Sequence, residues 1–317
     1  MHGGRGNTWV KPEFLQIMST RKKLRELASA KRGVIVPGAF NALSARVIAD
    51  LGFEAIYVTG AGVTNMWFAM PDQGFMGLAE IAEHTARIRD AVEVPLLVDA
   101  DTGFGNALNV YHTVRTLERA GADCIQLEDQ VAPKRCGHFS GKDVISCEEA
   151  VSKIKAAVDA RRDPDLLIMA RTDAAAVHGF EAAVERAQKF AEAGADILFV
   201  EAVTTAEEIR ALPQRLSTPQ LMNMVIGGKT PIFNAAELGE LGYGIVLYAN
   251  AALQGAVMGM QKALTVLRDE KEISESSGLV TPFAERQRLV RKAAWDALEK
   301  VYGDNRTDPI GQRPPHS

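Results

Sequence analysis

The chain has 317 residues, of which 47% are hydrophobic and 24% are charged, and its formal net charge is −4. This composition is typical of a soluble globular protein, and the charge gives no electrostatic reason to expect a nucleic-acid or membrane partner. No apolar run approaches the roughly 20 residues that span a bilayer. The first residues lack the apolar segment of a signal peptide, so we expect a cytoplasmic location. Three cysteines do not suggest a disulfide framework.

Eight short apolar runs recur along the chain, and a helix-like segment follows each of them. Such near-continuous hydrophobic runs are typical of parallel strands that are covered on both faces. The runs are Val34–Pro37, Ala55–Thr59, Pro95–Asp99, Cys124–Glu128, Leu166–Ala170, Ile197–Val200, Gln220–Asn223 and Gly244–Leu247. Eight β–α repeats predict an α/β fold, a (β/α)8 barrel of the TIM type. A doubly wound open sheet is the alternative, because the number of strands alone does not prove closure.

The segments between the runs have amphipathic patterns, and several end in glycine, the usual stop signal of a helix. They include Ala107–Ala120, Cys147–Arg161, Gly179–Ala193 and Ala235–Leu241. Ser146 with Glu149 predicts a capping box at the start of the second of these helices.

The end of the chain has a different pattern. A helix over Ala251–Leu267 is followed by a polar stretch, a further helix over Phe283–Tyr302 and a tail that we expect to be disordered. We therefore expect a barrel domain over residues 1–270 with a helical lead-in, and a C-terminal helical arm over residues 271–317. The apolar face of the last helix has no place in a standard barrel, so we expect it to pack on another subunit.

Carboxylates stand at the ends of the third and fourth predicted strands. Asp99, Asp101 and Glu128 offer hard oxygen ligands, which suit Mg²⁺ or Mn²⁺. The alternative is that these carboxylates cap the helices that follow. Histidines and cysteines do not cluster at metal-binding spacing, so zinc is not expected.

The segment Lys134-Arg135-Cys136-Gly137-His138 surrounds a thiol with cations. Such neighbours lower the pKa of a cysteine, which can then exchange a proton near neutral pH. The alternative is a basic surface loop with an incidental cysteine. Cys124 lies within an apolar strand and Cys147 at a helix start, so we expect both to be structural.

Arg171 follows a buried strand, where its planar guanidinium suits a substrate carboxylate. A salt bridge to Glu201 or Asp173 is the alternative, and both interpretations can hold together.

These residues taken together resemble the isocitrate lyase/phosphoenolpyruvate mutase superfamily over roughly residues 34–267. The Lys-Arg-Cys-Gly-His segment, after Val98–Gly105 and Leu127–Gln130, is similar to the signature of its carbon–carbon lyase branch. The patterns nearest to it are those of 2-methylisocitrate lyases and 2,3-dimethylmalate lyases.

The resemblance implies a set of functional residues and a tetramer whose subunits exchange a C-terminal helix. It implies a Mg²⁺ site at Asp99, Asp101, Glu128 and Asp72. It implies substrate contacts from Tyr57, Thr59, Gly60, Ala61, Arg171, Glu201, Asn223, Gly137 and His138. Lys134, Arg135 and His138 would stabilise the departing carbanion, Cys136 would protonate it, and Tyr57 or Glu201 would lie near the base.

Three departures from methylisocitrate lyases favour the dimethylmalate lyase side. They are Thr59-Gly60-Ala61-Gly62 in place of Ser-Gly-Gly-Gly, Gln126 in place of His, and Asn223-Met224-Val225 in place of Asn-Ile-Thr. We therefore predict a Mg²⁺-dependent lyase that acts on a small 2-hydroxy di- or tricarboxylate. The alternatives are an oxaloacetate hydrolase or decarboxylase, a phosphonomutase, and a barrel that binds a ligand without catalysis.

Overall fold

A computed structural model describes residues 17–134, 143–228, 230–231 and 233–303 of the chain. The chain separates into two compact units, one ending at Leu253 and the other beginning at Gln254. The first unit contains a parallel sheet whose strands are β1 Val34–Ala39, β2 Ile56–Val58, β3 Leu96–Asp99, β4 Cys124–Glu128, β5 Leu167–Thr172, β6 Ile197–Val200, β7 Leu221–Asn223 and β8 Ile245–Tyr248. The division into a catalytic domain and an arm after residue 270 stays a prediction.

The eight strands close into a barrel. They pair in the order β6-β5-β4-β3-β2-β1-β8-β7, and every pairing is parallel. A parallel bridge between Leu198 and Gln220 joins β6 to the start of β7. This bridge connects the two ends of the strand order, and it confirms the (β/α)8 barrel over the open sheet.

Helices follow the strands in sequence. Those of the described chain are α1 Ile17–Ser29, α2 Ala42–Asp50, α3 Gly60–Phe68, α4 Leu78–Ala91, α5 Ala107–Arg119, α6 Cys147–Ala160, α7 Ala174–His178, α8 Phe180–Glu192, α9 Ala206–Arg215, α10 Ala235–Leu241, α11 Ala251–Glu270, α12 Phe283–Leu289 and α13 Lys292–Gly303. None of these described helices combines the length and the apolar character needed to cross a bilayer.

Side chains alternate between the two faces of each strand, as β4 illustrates. Ile125 and Leu127 pack outwards against the helices, whereas Cys124 belongs to a second apolar cluster inside the barrel, which also contains Leu97 and Met169. By the same alternation, Gln126 and Glu128 point inwards above Cys124. Cys124 is fully buried, as predicted for a structural cysteine.

Helix α1 closes the amino-terminal end of the barrel. Its Leu24 and Leu27 are buried in the interior apolar cluster. Thr20 donates a 2.6 Å hydrogen bond to Asp123, which precedes β4, and Arg21 forms a 2.7 Å ion pair with Asp163. Leucine packing and buried polar contacts therefore hold this helix across the strand starts.

The second unit differs from the sequence prediction at one point. The predicted helix over Phe283–Tyr302 is two helices, α12 and α13, with a break at Val290 and Arg291. Arg291 has a φ of +54°, and a left-handed residue cannot continue a right-handed helix. Of the capping box predicted at the start of α6, the structure shows the serine half: the Ser146 side chain accepts the Glu149 N–H at 3.1 Å.

Candidate active site

Polar side chains gather where the strands end at the carboxyl-terminal face of the barrel. In the sheet register, Asp99 of β3 pairs with Gln126 of β4, and Glu128 of β4 pairs with Arg171 of β5. The side chains buried there include Tyr57, Asp99, Gln126, Glu128, Arg171 and Glu201. Parallel strands of a barrel end at one face, so the structure brings the predicted residues of these strands to the same mouth.

A chain of hydrogen bonds crosses three neighbouring strands. The Tyr57 hydroxyl donates to Gln126 Oε1 at 2.7 Å, and Gln126 Nε2 donates to Asp99 Oδ1 at 3.0 Å. Burial, and then the nearby Asp99 carboxylate, raise the pKa of Tyr57 well above its usual value. Tyr57 is therefore a neutral phenol at physiological pH, and its proton is committed to Gln126.

The start of α3 comes close to two carboxylates. Thr59 caps this helix by accepting the Gly62 N–H at 3.2 Å, and the Gly60 N–H lies 3.4 Å from Asp99 Oδ2. A Cβ on residue 60 would lie 3.0 Å from Asp99 Oδ2 and 3.4 Å from Asp101 Oδ1. Glycine at this position therefore allows the helix backbone to approach the acids. Ala61 follows in the same first turn.

Lys134 joins two acids that come from different loops. Its Nζ lies 2.5 Å from Asp72 Oδ1 and 2.7 Å from Asp101 Oδ1, and its side chain is buried. Burial opposes the charge of Lys134, yet Asp101, Asp99, Glu128 and Asp72 together raise its pKa well above its usual value. Burial raises the pKa of Asp101 to about 7, although Lys134 acts in the opposite direction.

Arg171 is held on three sides. Its Nη1 lies 3.2 Å from Glu128 Oε2, and its Nε and Nη2 donate to the two oxygens of Asp173 at 2.9 and 3.2 Å. The guanidinium also stands 5.2 Å from the centre of the Phe199 ring. The predicted salt bridge to Asp173 is present, and the contacts to Glu128 and Asp173 use fewer N–H donors than a guanidinium carries.

A second layer of buried contacts fixes the end of β5. Asp129 accepts the Thr172 hydroxyl at 2.6 Å and the Asp173 N–H at 2.9 Å. Arg186 of α8 donates to Asp129 Oδ2 at 3.2 Å. Sequence reasoning missed the role of these residues, and Arg186 in particular carries no local signal because it lies 57 positions from Asp129.

Glu201 and Asn223 meet at the ends of the sixth and seventh strands. Asn223 Nδ2 donates to Glu201 Oε2 at 3.2 Å. The amide fixes one oxygen of the carboxylate, which is buried together with the rest of the Glu201 side chain. The structure thus joins these two predicted substrate contacts directly.

The remaining predicted residues fall in a part of the chain that the structure does not cover. Arg135, Cys136, Gly137 and His138 lie outside the described residues, which resume at residue 143. Lys134 is the last described residue before them, and it is part of the acidic cluster at the barrel mouth. The predicted roles of these four residues stay predictions.

The acids at the mouth fit a divalent cation whose coordination shell is completed by water and substrate oxygens. Glu128 Oε1 is buried and has no hydrogen-bond partner within the described chain, and burial raises the pKa of Glu128 well above its usual value. Among the described residues, no three His, Cys, Asp or Glu side chains are grouped to enclose a metal by themselves. Mg²⁺ needs only one or two carboxylates when waters and substrate oxygens complete its shell. Asp99 and Glu128 meet that requirement.

Comparison with known proteins decides the family. Residues 24–268 match the family model described as phosphoenolpyruvate phosphomutase. The chain belongs to the phosphoenolpyruvate mutase family. A 2,3-dimethylmalate lyase of Eubacterium barkeri is 43% identical to this family member over 289 residues, which are 91% of this chain and all of the relative. A 2-methylisocitrate lyase of Aeropyrum pernix is 50% identical over 249 residues, which are 78% of this chain and 79% of the relative.

Solved structures agree with this assignment. The crystal structure of 2,3-dimethylmalate lyase, a PEP mutase/isocitrate lyase superfamily member, aligns with a TM-score of 0.84 and 32% identity over 93% of this chain and 99% of that one. Oxaloacetate acetylhydrolase with 3,3-difluorooxalacetate gives a TM-score of 0.82 at 34% identity over 91% of this chain and 98% of that one. The structure of phosphonopyruvate hydrolase with oxalate and Mg²⁺ aligns with a TM-score of 0.80 and 30% identity, over 89% of this chain and 99% of that one. This phosphoenolpyruvate mutase family member is a carbon–carbon lyase, as predicted.

Proposed function

We propose that this lyase requires Mg²⁺ and cleaves the C2–C3 bond of a small 2-hydroxy di- or tricarboxylate of the 2,3-dimethylmalate or 2-methylisocitrate type. The products are a 2-keto acid such as pyruvate and a second carboxylate. The names of the two relatives, dimethylmalate lyase and methylisocitrate lyase, support this substrate class.

One observation carries the proposal: Glu128, a buried carboxylate with one oxygen unpartnered among the described residues, lies at the barrel mouth next to an arginine that Asp173 holds in place. Glu128 has one oxygen 3.2 Å from Arg171 Nη1, while its other oxygen has no hydrogen-bond partner in the described residues. A 2-hydroxy acid carries a carboxylate for the arginine and a hydroxyl oxygen beside it for a metal. The two functional groups of such a substrate thus match two adjacent features of the site.

When bound, Mg²⁺ would supply Lewis-acid stabilisation of the substrate oxygen that becomes a keto oxygen. Asp99 and Glu128 would hold it, and the Lys134 cluster with Asp101 and Asp72 would lie beside them. Arg171 orients the carboxylate, because Asp173 and Glu128 fix the guanidinium.

The reaction begins with loss of the C2 hydroxyl proton. Of the two residues that we predict near the base, Tyr57 is kept protonated by its raised pKa, so Glu201 is the better acceptor. The oxygen electron pair forms the C2=O bond, the C2–C3 bond breaks, and its electrons move to the departing fragment. That fragment is an aci-carboxylate, which needs positive charge nearby and a proton on carbon.

One segment of the chain, which begins at Lys134, offers both the positive charge and the proton. The Lys134 ammonium is buried at the mouth, and Arg135 and His138 follow it in sequence. Cys136, whose neighbours are cationic, is the proposed proton donor. Donation leaves Cys136 as a thiolate, and the proton that the base took from the substrate, returned through solvent, restores the thiol, so no external oxidant or reductant is required.

A substrate panel tests the proposal. The purified chain is incubated with 2,3-dimethylmalate, 2-methylisocitrate, isocitrate and oxaloacetate, and keto-acid release is measured with Mg²⁺ and after exhaustive EDTA treatment. We expect keto acid from one of the first two substrates and no turnover in EDTA. Turnover that EDTA does not diminish would contradict the metal site, and the absence of keto-acid release from every substrate would contradict the substrate class.

Oxaloacetate hydrolysis is the second candidate, because the oxaloacetate acetylhydrolase structure aligns at 34% identity. Oxaloacetate also has a keto oxygen beside a carboxylate, so the same arginine and metal would bind it. Detection of oxalate rather than pyruvate from oxaloacetate would identify this activity. Incubation with phosphonopyruvate, followed by ³¹P NMR, tests for the phosphonate chemistry of other family members.

We also propose that the chain is a homo-oligomer, with a tetramer as the expected form. In α13, the side chains of Trp295 and Val301 are 68% and 69% exposed. Large exposed apolar side chains in one helix are typical of a surface that packs on another subunit. This agrees with the sequence prediction, in which the last helix has no burial site of its own.

A further inference from the structure

Gln126 is a fully buried amide at the centre of the site, and the mechanism above gives it no role. It lies between the Tyr57 hydroxyl, at 2.7 Å, and the Asp99 carboxylate, at 3.0 Å. Its orientation follows from the chemistry of the two neighbours. A carboxylate only accepts hydrogen bonds, so the NH₂ group must face Asp99 and the carbonyl oxygen is left for the phenol.

The amide acts on one oxygen of Asp99 in particular. Asp99 Oδ1 accepts from Gln126 Nε2 and also from the Asp101 N–H at 3.1 Å. Among the hydrogen bonds of the described residues, Asp99 Oδ2 accepts only from the Gly60 N–H, and that contact is long at 3.4 Å; the Tyr57 hydroxyl also lies near the Asp99 carboxylate. Two donors therefore hold Oδ1, and Oδ2 is the oxygen with capacity for a further partner.

A competing cation makes this restraint necessary. The Lys134 ammonium is within electrostatic range of Asp99, and it already binds Asp72 and Asp101. Without the Gln126 donor, Oδ1 would keep only the Asp101 N–H, and the Asp99 carboxylate would rotate more readily towards this ammonium. A carboxylate paired with lysine is a poorer ligand for a second cation.

We infer that Gln126 is a positioning residue for the metal site, which holds Asp99 so that its Oδ2 faces a divalent cation. The inference rests on the proposed function, because it assumes that Asp99 binds the metal. Tyr57 contributes by occupying the amide oxygen, which prevents the amide from turning over. Donors that orient a metal ligand usually change metal affinity by about 10- to 100-fold.

Mn²⁺ binding measures this effect without any turnover. Mn²⁺ is titrated into metal-free protein, and the free ion is quantified by electron paramagnetic resonance. Gln126→Met keeps the length of the side chain and removes both hydrogen bonds. We expect its Kd for Mn²⁺ to be about 10- to 100-fold higher than that of the wild type.

Gln220→Met is the matched control. Gln220 is also a buried glutamine, but it precedes β7 at the opposite end of the barrel and donates to the Leu216 carbonyl at 2.9 Å. Its loss should lower the melting temperature and leave the Kd for Mn²⁺ unchanged. Should Gln126→Met fail to fold, Gln126→Asn is held to the same criterion, because the shorter amide cannot span Tyr57 and Asp99.

The outcomes separate the inference from the proposed function. If the Gln126 variant has the wild-type Kd for Mn²⁺, or if Gln220→Met loses the same affinity for Mn²⁺, the role of Gln126 is overturned but the proposed metal site is not. Failure of the wild-type protein to bind Mn²⁺ overturns the metal site and the inference with it.

Discussion

The orientation of Arg171 depends on Asp173, and Asp173→Asn removes the charge with little change in volume. Asp173 is fully buried and accepts two hydrogen bonds from Arg171, at 2.9 and 3.2 Å. Asparagine can keep one of them, but its amide group would face the guanidinium as a donor. Hydrogen bonds to charged groups contribute about 1.5–3 kcal/mol, so we expect the free energy of unfolding to fall by roughly 2 kcal/mol. In a domain of this size, that lowers the melting temperature by about 4–8 °C.

The assay is thermal unfolding followed by circular dichroism, with steady-state kinetics on the active substrate. In the proposed mechanism Arg171 binds the carboxylate before and during cleavage, so KM should rise by a larger factor than kcat falls. Glu181→Gln is the matched control. Glu181 has the same two-bond contact, with Arg215 at 3.2 and 2.9 Å, but both side chains lie at the surface. We expect no measurable change there. Equal melting temperatures for both variants and the wild type would refute the reasoning.

Three further outcomes are expected. Cys136→Ser should lower kcat by roughly 10²- to 10⁴-fold with little change in KM. Cys124→Ser, whose cysteine lies in the barrel interior, should lower only stability. A wild-type kcat in Cys136→Ser would exclude Cys136 as the acid. Burial lowers the pKa of His84 despite its contact with the Phe40 carbonyl, so the native state binds fewer protons than the unfolded chain. The free energy of unfolding should therefore fall as the pH decreases below about 6.5, and a pH titration of chemical unfolding should show a weaker dependence for His84→Gln than for the wild type. Sedimentation velocity should show an oligomer, and a monomer at micromolar concentration would contradict the proposed packing of α13.

The barrel could be predicted because buried parallel strands require apolar residues on both faces. The bounds of β4, Cys124–Glu128, and of β6, Ile197–Val200, follow directly from that requirement. Closure could not be predicted in this way, because it depends on the contact between Leu198 and Gln220 across the last gap. The break at Arg291 is likewise absent from the sequence pattern, since neither glycine nor proline marks the left-handed residue there.

The site could be predicted as far as strand ends determine it. The shared location of Asp99, Glu128 and Arg171 is predictable because all parallel strands of a barrel end at one face. What holds these groups was not predictable, because the residues responsible have no local signature. Gln126 is a neutral amide within an apolar strand, and Arg186 reaches the site from a helix far along the chain.

Closure of the amino-terminal end of the barrel by α1 has a consequence for the order of product release. Leu24 and Leu27 of α1 fill the amino-terminal end, so one opening must serve both for substrate entry and for departure of the two fragments. In the proposed mechanism Arg171 binds the keto acid, and because this arginine belongs to strand β5 rather than to the loops above it, the keto acid is the fragment held deeper. The other carboxylate must leave first, which makes release ordered. The keto acid should then inhibit in competition with the substrate, and the other carboxylate should inhibit noncompetitively.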